Sequence, residues 1–200
     1  GNVPEPYLLF PDLLPTLLGM LTSERGADLR NELLRALGTL GALDPSTQAR
    51  MALQRQRAVT LATAKPLQPA VEVTKPASHP EFYHAVSSAA LMGVLRDPSL
   101  RKQYREATQA LLFILTSLGG SKASSELAQV LPLLAGAVDQ ADEPLRVFFF
   151  GQLDALVALV GKGVRPHVNE LLNLARRYWR TSDKVTGACV TLVQTIAASI

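Results

Sequence analysis

Apolar side chains recur every three or four residues along most of this 200-residue chain, the spacing of helices that bury one face. Leu13, Leu14, Leu17, Leu18 and Leu21 form one stripe, and Leu29, Leu33, Ala36, Leu37 and Leu40 form a second. A third runs through Tyr104, Thr108, Leu111, Leu112, Leu115 and Leu118, and a fourth through Leu127, Val130, Leu131, Leu134 and Val138. The longest passes from Leu145 through Phe148, Phe149, Gln152, Leu153, Leu156 and Val157 to Val160. Val168, Leu171, Leu172, Ala175, Tyr178 and Trp179 follow in the clearest helical register. No stretch alternates apolar and polar over a strand's length, so no sheet is predicted.

Turn-forming residues fall between the stripes. Asp44-Pro45, Asp97-Pro98, Gly119-Gly120, Glu143-Pro144 and Arg165-Pro166 mark turns or first helical positions, and Thr181-Ser182-Asp183 offers N-caps for a last helix. The predicted fold is all-α, an α-solenoid of the HEAT or armadillo kind. About four helix pairs are expected, antiparallel within each pair, at 7–43, 81–118, 124–161 and 165–199. Pro15 and Pro132 stand in similar leucine runs and should each kink a first helix. They lie 117 residues apart; without the 35 residues of 46–80 the gap is 82, or two steps of 41. That step is the length of a HEAT or armadillo unit. Asp28-Leu29-Arg30 and Glu143-Pro144-Leu145-Arg146 open the second helices of two units with the same acid-to-arginine step. The acid can cap a helix while the arginine reaches a neighbouring unit, although a solvated pair explains the spacing equally well.

The segment 46–80 breaks the pattern. It holds no aromatic residue and four prolines, and sets Arg50, Arg55, Arg57, Lys65 and Lys75 against Glu72, a net of +4. It is expected to be a flexible basic loop, with a transient helix at most over 51–61. The rest of the chain then carries 15 basic against 16 acidic residues, so the overall +3 does not coat the folded part. Apolar runs such as 110–115 and 147–150 fall far short of the roughly 20 residues that cross a bilayer. No charged-then-apolar leader opens the chain, and one cysteine excludes an internal disulfide, as in a reducing compartment. Starting at Gly1 and stopping at Ile200 inside an apolar pattern, the sequence has the look of an excerpt.

Candidate chemistry is sparse. His79, His84 and His167 do not pair at metal-binding spacing, and Cys189 has no partner thiol, so no metal site is predicted. Gly161-Lys162-Gly163 follows a helix and precedes Val164, which makes it a helix end and not a phosphate loop. Arg96-Asp97 lacks the His and Asn that would make it a kinase catalytic loop. Arg176-Arg177-Tyr178-Trp179-Arg180 mixes cations with aromatics as single-strand nucleic-acid sites do, but the aromatics continue an apolar stripe and cations suit a helix C-terminus. Gln152, set within a stripe, should bond a loop or the adjacent unit. No catalytic, cofactor-binding or metal-ligating residue is assigned.

Some segments carry a more specific likeness. Leu37-Gly38-Thr39-Leu40-Gly41-Ala42-Leu43-Asp44-Pro45 resembles a signature of the target-of-rapamycin (TOR) protein kinases, as does Glu5-Pro6-Tyr7 followed by Pro11 and its leucines. Glu81-Phe82-Tyr83 with Ala85-Val86, then Ala90-Leu91-Met92 and Arg96-Asp97 with Ser99-Leu100, is similar to the same family. So are Phe150 with Gln152-Leu153, Val164-Arg165-Pro166, and Tyr178-Trp179. The resemblance covers nearly the whole chain in order. It implies the central HEAT region of a very large serine/threonine kinase, with the rapamycin-binding and kinase domains outside these residues. It implies no cofactor in this segment, ATP and Mg being used by the parent kinase. It also implies a non-catalytic scaffold role in dimerisation and accessory-subunit docking, with a second TOR chain and regulatory subunits as protein partners. The implied location is cytoplasmic or peripheral at endolysosomal or vacuolar membranes, with no nucleic-acid partner and no transmembrane segment. A HEAT scaffold unrelated to a kinase, such as a phosphatase scaffold or a transport receptor, is the alternative, sharing only the general helix pattern.

Two measurements test this reading. Far-UV circular dichroism should be dominated by helix; substantial strand content would contradict it. Limited trypsin digestion should cut first at Arg50, Arg55, Arg57 or Lys65, and first cuts at Arg146 or Arg176 would show the ordered units to be misplaced.

Overall fold

The computed structural model describes residues 10, 12–24, 26–42 and 80–200. Among them are eight α-helices and no strand: α1 (Leu13–Ser23), α2 (Ala27–Gly41), α3 (Pro80–Arg96), α4 (Tyr104–Leu118), α5 (Gly120–Gln140), α6 (Glu143–Val160), α7 (Val168–Tyr178) and α8 (Asp183–Ser199). Two 3₁₀ segments, Pro98–Gln103 and Gly161–His167, precede α4 and α7. Their prolines were visible in the sequence, but the extra turns, one opened by Pro98 and the other holding Pro166 near its end, were not expected.

Local chemistry sets the helix ends. Asp142 caps α6 by accepting the Leu145 N–H at 3.0 Å, with Pro144 in the first turn, where no N–H is needed. Ser182 caps α8 through the Val185 N–H at 3.3 Å. Gly119 and Gly161 end α4 and α6 with φ of 80° and 52°, angles that side-chain-bearing residues avoid.

The helices, taken in chain order as pairs, stack so that the second members α2, α4, α6 and α8 form one row. The contacts of α6 with α8 and of α2 with α4 are the most extensive. A Cβ on Gly38 would stand 2.8 Å from Ala110 Cβ, and one on Gly41 2.5 Å from Ile114 Cδ1. The paired numbers rise together, so α2 and α4 run parallel. Gly120, opening α5, abuts the Leu159 carbonyl near the end of α6, so those two helices run antiparallel. One apolar cluster runs from Leu34 in α2 through every later helix to Ile196 in α8, and a smaller one joins Leu14, Leu37 and Tyr83. This is the all-α helical-repeat architecture the stripes predict.

Several details depart from the sequence reading. Leu29 is exposed and Leu34 is buried in its place, because the register of α2 is set by Gly38 against Ala110. In α7 the core takes Leu171, Leu174 and Ala175, leaving Leu172 and Trp179 outside it. Gly120 lies inside α5 and only Gly119 makes the turn, so that helix starts earlier than expected. Asp142 caps α6 in place of Glu143, and α2 begins at Gly26 with no side-chain cap from Asp28. Pro15 lies in the first turn of α1, where it replaces no helical bond; α5 continues through Pro132 as a single assigned helix. Apart from Pro80, which opens α3, the expected loop 46–80 lies outside the described residues, as do Asp44-Pro45 and His79.

The stretch Glu143–Tyr178 contains a window of mean hydropathy 1.6, apolar enough to cross a membrane by length and composition alone. Phe149, Phe150, Leu153, Leu156, Val157 and Val160 of that stretch form the buried core instead.

Three substitutions test the packing by denaturant midpoint. Phe149→Ala should cost about 3–5 kcal/mol, the loss of a fully buried ring. Gly19→Ala, in α1 with nothing within 4 Å of the new carbon, should stabilise by about 0.4–1 kcal/mol. Gly38→Ala gains the same helix propensity but must push Ala110 away, and should destabilise by about 1–3 kcal/mol. Equal effects of the two glycine substitutions would contradict the α2–α4 contact.

Candidate functional site

Polar side chains concentrate where first helices turn into second ones. Arg30, early in α2, donates to the carbonyl of Glu24, the residue that ends α1. Arg146, early in α6, does the same two pairs of helices further on, donating at 2.6 Å to the carbonyl of Ala141, which ends α5. The repeated arginine therefore satisfies the orphan carbonyls of its own unit's first helix. It also reaches the next unit. The Arg146 guanidinium lies 4.4 Å over the Tyr178 ring, and the Asp97 carboxyl senses Arg30. That carboxyl is held below its usual range chiefly by hydrogen bonds from Ser99, with Arg30 adding least.

Further ties join neighbouring turns. Arg101 Nε donates to Gln140 Oε1 at 2.9 Å. Arg177 Nη1 donates to both oxygens of Asp139 at 2.7 and 2.8 Å, and the Tyr178 hydroxyl donates to Asp139 Oδ1 at 2.7 Å. Burial and this bond to a carboxylate push the Tyr178 hydroxyl up from its ordinary value. These bonds span 38 or 39 residues, slightly short of the 41-residue step read from the prolines.

The residues singled out in the sequence take structural places. His84 is half-buried early in α3, and His167 sits 3.6 Å from Glu170 at the start of α7. Cys189 is buried in α8, and burial pushes its thiol up to about 11, so little thiolate exists at neutral pH. Gly161-Lys162-Gly163 forms the turn after α6, with Gly163 packed on Ser124. Asp97 caps the first 3₁₀ segment by accepting the Ser99 N–H at 2.9 Å. Gln152 is half-buried and its side-chain amide has no hydrogen-bond partner among the described residues, contrary to the expected bond. Among the described residues no three His, Cys, Asp or Glu side chains gather as a metal site would require.

Sequence reasoning missed a groove between α2 and α4. It holds about 210 Å³ over a floor of Gly38 and Ala110, with Arg35, Thr39, Glu106, Gln109 and Phe113 around it. Phe113 is 56% exposed there. The glycine at position 38 was the available signal, since it lets two helix backbones approach and leaves no side chain to fill the space above them.

Comparison with known proteins bears on all of these features together. Residues 3–161 match the family described as the serine/threonine-protein kinase mTOR domain. Over its whole length the chain is similar to the serine/threonine-protein kinase tor1 of Schizosaccharomyces pombe, with 31% identity across 202 aligned positions, and to mTor of Drosophila melanogaster, with 31% across 211. Ninety per cent of it is 32% identical to the TOR kinase of Arabidopsis thaliana. The chain spans about 8% of the length of each of these relatives. A family match over most of the chain leads to one conclusion: the chain belongs to the serine/threonine-protein kinase mTOR domain family.

Proposed function

We propose that these residues are a non-catalytic scaffold segment of a TOR-type serine/threonine kinase, built of HEAT-type units. The observation that supports this reading most is the apolar cluster shared from Leu34 to Ile196. In a repeat stack each unit buries its face on its neighbours, so such a segment transmits position along its length and presents long lateral surfaces. The side chains with chemical potential serve that stacking: Arg146, Asp139, Arg177 and Tyr178 fix the seam between the last two pairs. On this reading ATP and Mg belong to a kinase domain elsewhere in the parent chain. The segment supports dimerisation with a second TOR chain and docking of regulatory subunits in growth and nutrient signalling. The complex works in the cytoplasm or peripherally at endolysosomal or vacuolar membranes.

The test replaces 7–199 of the full-length kinase by an unrelated four-unit HEAT block of equal length. Recovery of dimer and accessory subunits should fall together with substrate phosphorylation, while the isolated kinase domain stays active on a generic peptide. Unchanged assembly after the exchange would reduce the segment to a spacer.

A further inference from the structure

The seam between the pairs α5–α6 and α7–α8 is built differently on its two sides. On one side α6 and α8 meet in the most extensive helix contact of the stack, and α8 buries Val185, Cys189, Leu192 and Ile196. On the other side α5 and α7 hardly approach each other. The backbone of α7 lies against α8, its own partner, and against the 3₁₀ segment that leads into it. One unit earlier in the same row, α3 and α5 do come together. What ties the end of α5 to α7 is polar and confined to their last turns. Asp139 takes both Arg177 bonds and the Tyr178 hydroxyl. Arg146 backs this clasp: it lies over the Tyr178 ring and donates to the carbonyls of Val138 and Ala141 at 3.3 and 2.6 Å. The clasp is open to water, the Arg177 and Asp139 side chains being 58% and 41% exposed. At the other end of α5, Gly163 of the 3₁₀ segment packs on Ser124.

We infer that this seam is a hinge: α7 and α8 rock as one body about the α6–α8 contact, and the clasp on Asp139 holds the closed angle. Separating α6 from α8 would expose a continuous apolar core to water, which the hydrophobic effect resists in proportion to the area uncovered. Parting Arg177 and Tyr178 from Asp139 uncovers little, and water takes the place of the lost partners. An exposed ionic contact of this kind is worth a factor of roughly two to five in an equilibrium. The easiest displacement of the seam is therefore a rotation that keeps α6 on α8 and opens α5 from α7, a hinge closed by a weak, directional latch. The latch is ionic, so salt loosens it while leaving the apolar axle intact. The inference concerns this seam alone and stands whether or not the proposed dimer and subunit contacts hold.

The test images the full-length kinase by electron cryo-microscopy and sorts its particles by the angle between the α5–α6 and α7–α8 pairs. The unsubstituted protein should show a closed majority, with Arg177 on Asp139, and an open minority in which α6 still lies on α8. Asp139→Ala should raise the ratio of open to closed particles by roughly two- to fivefold. Arg177→Ala removes the other half of the ion pair and should act in the same direction. Both side chains are exposed, so neither change threatens the fold. Arg101→Ala cuts the tie to Gln140, in the seam before this one, and should leave the α5–α7 angle as it was. A single angle that neither Asp139→Ala nor Arg177→Ala shifts overturns the inference. So does an open class in which α8 has left α6, or an equal response to Arg101→Ala.

Discussion

Gly38 lies so near Ala110 that even a methyl group would force the helices apart, and this closeness sets where α2 stands on α4. Once that contact is fixed, Leu34 enters the shared core, Leu37 joins Leu14 and Tyr83, and Leu29 is turned out to solvent. Further along, α6 meets α8 with a still larger contact, and Phe149, Phe150, Leu153 and Leu156 vanish completely from solvent. A helix pair of this size cannot bury both its faces alone. Stability therefore accrues at the seams between pairs, as in repeat proteins generally.

The polar groups of the turn edge have a different task. Apolar stacking is tolerant of sliding, because leucine against leucine is favourable in several registers. Directional bonds are not. Asp139 receives Arg177 and Tyr178 together, Arg101 finds Gln140, and Arg146 ends over the Tyr178 ring. Exposed pairs of this kind add little to stability. Their geometry instead selects one register between neighbouring turns, so that the seams repeat at 38 or 39 residues.

Much of this was legible in the sequence because helix periodicity and end signals are local. The stripes around Leu111, Leu131 and Leu153 are core, Ser182 is a cap, and Pro144 opens a helix, all from residues within one turn of each other. The choices that went astray depend on distant residues. Leu29 and Leu34 are equally apolar, and only Ala110, far along the chain, decides between them. Leu172 and Leu174 are likewise separated by how α7 lies against its neighbours. Asp142 and Glu143 are both acids at a helix start, and only the backbone angle at Asp142 makes it the cap. The likeness to the TOR kinases was legible from short segments such as Leu-Gly-Ala-Leu-Asp-Pro. The groove under Phe113 was not, because an exposed phenylalanine at helical spacing cannot be told from a core one without its neighbours.

The central claim is that the helix pairs share one core and so stand or fall together. Leu111→Ala tests it most directly. Leu111 is fully buried in α4, whereas Trp179 reports on the α7–α8 pair two seams away. If the core is continuous, denaturant unfolding followed by Trp179 emission should shift to lower midpoint by the same amount as the circular dichroism transition of the whole chain. A Trp179 transition left where it is in the unsubstituted chain, while the helix signal shifts, would contradict the account and make the pairs independent bodies.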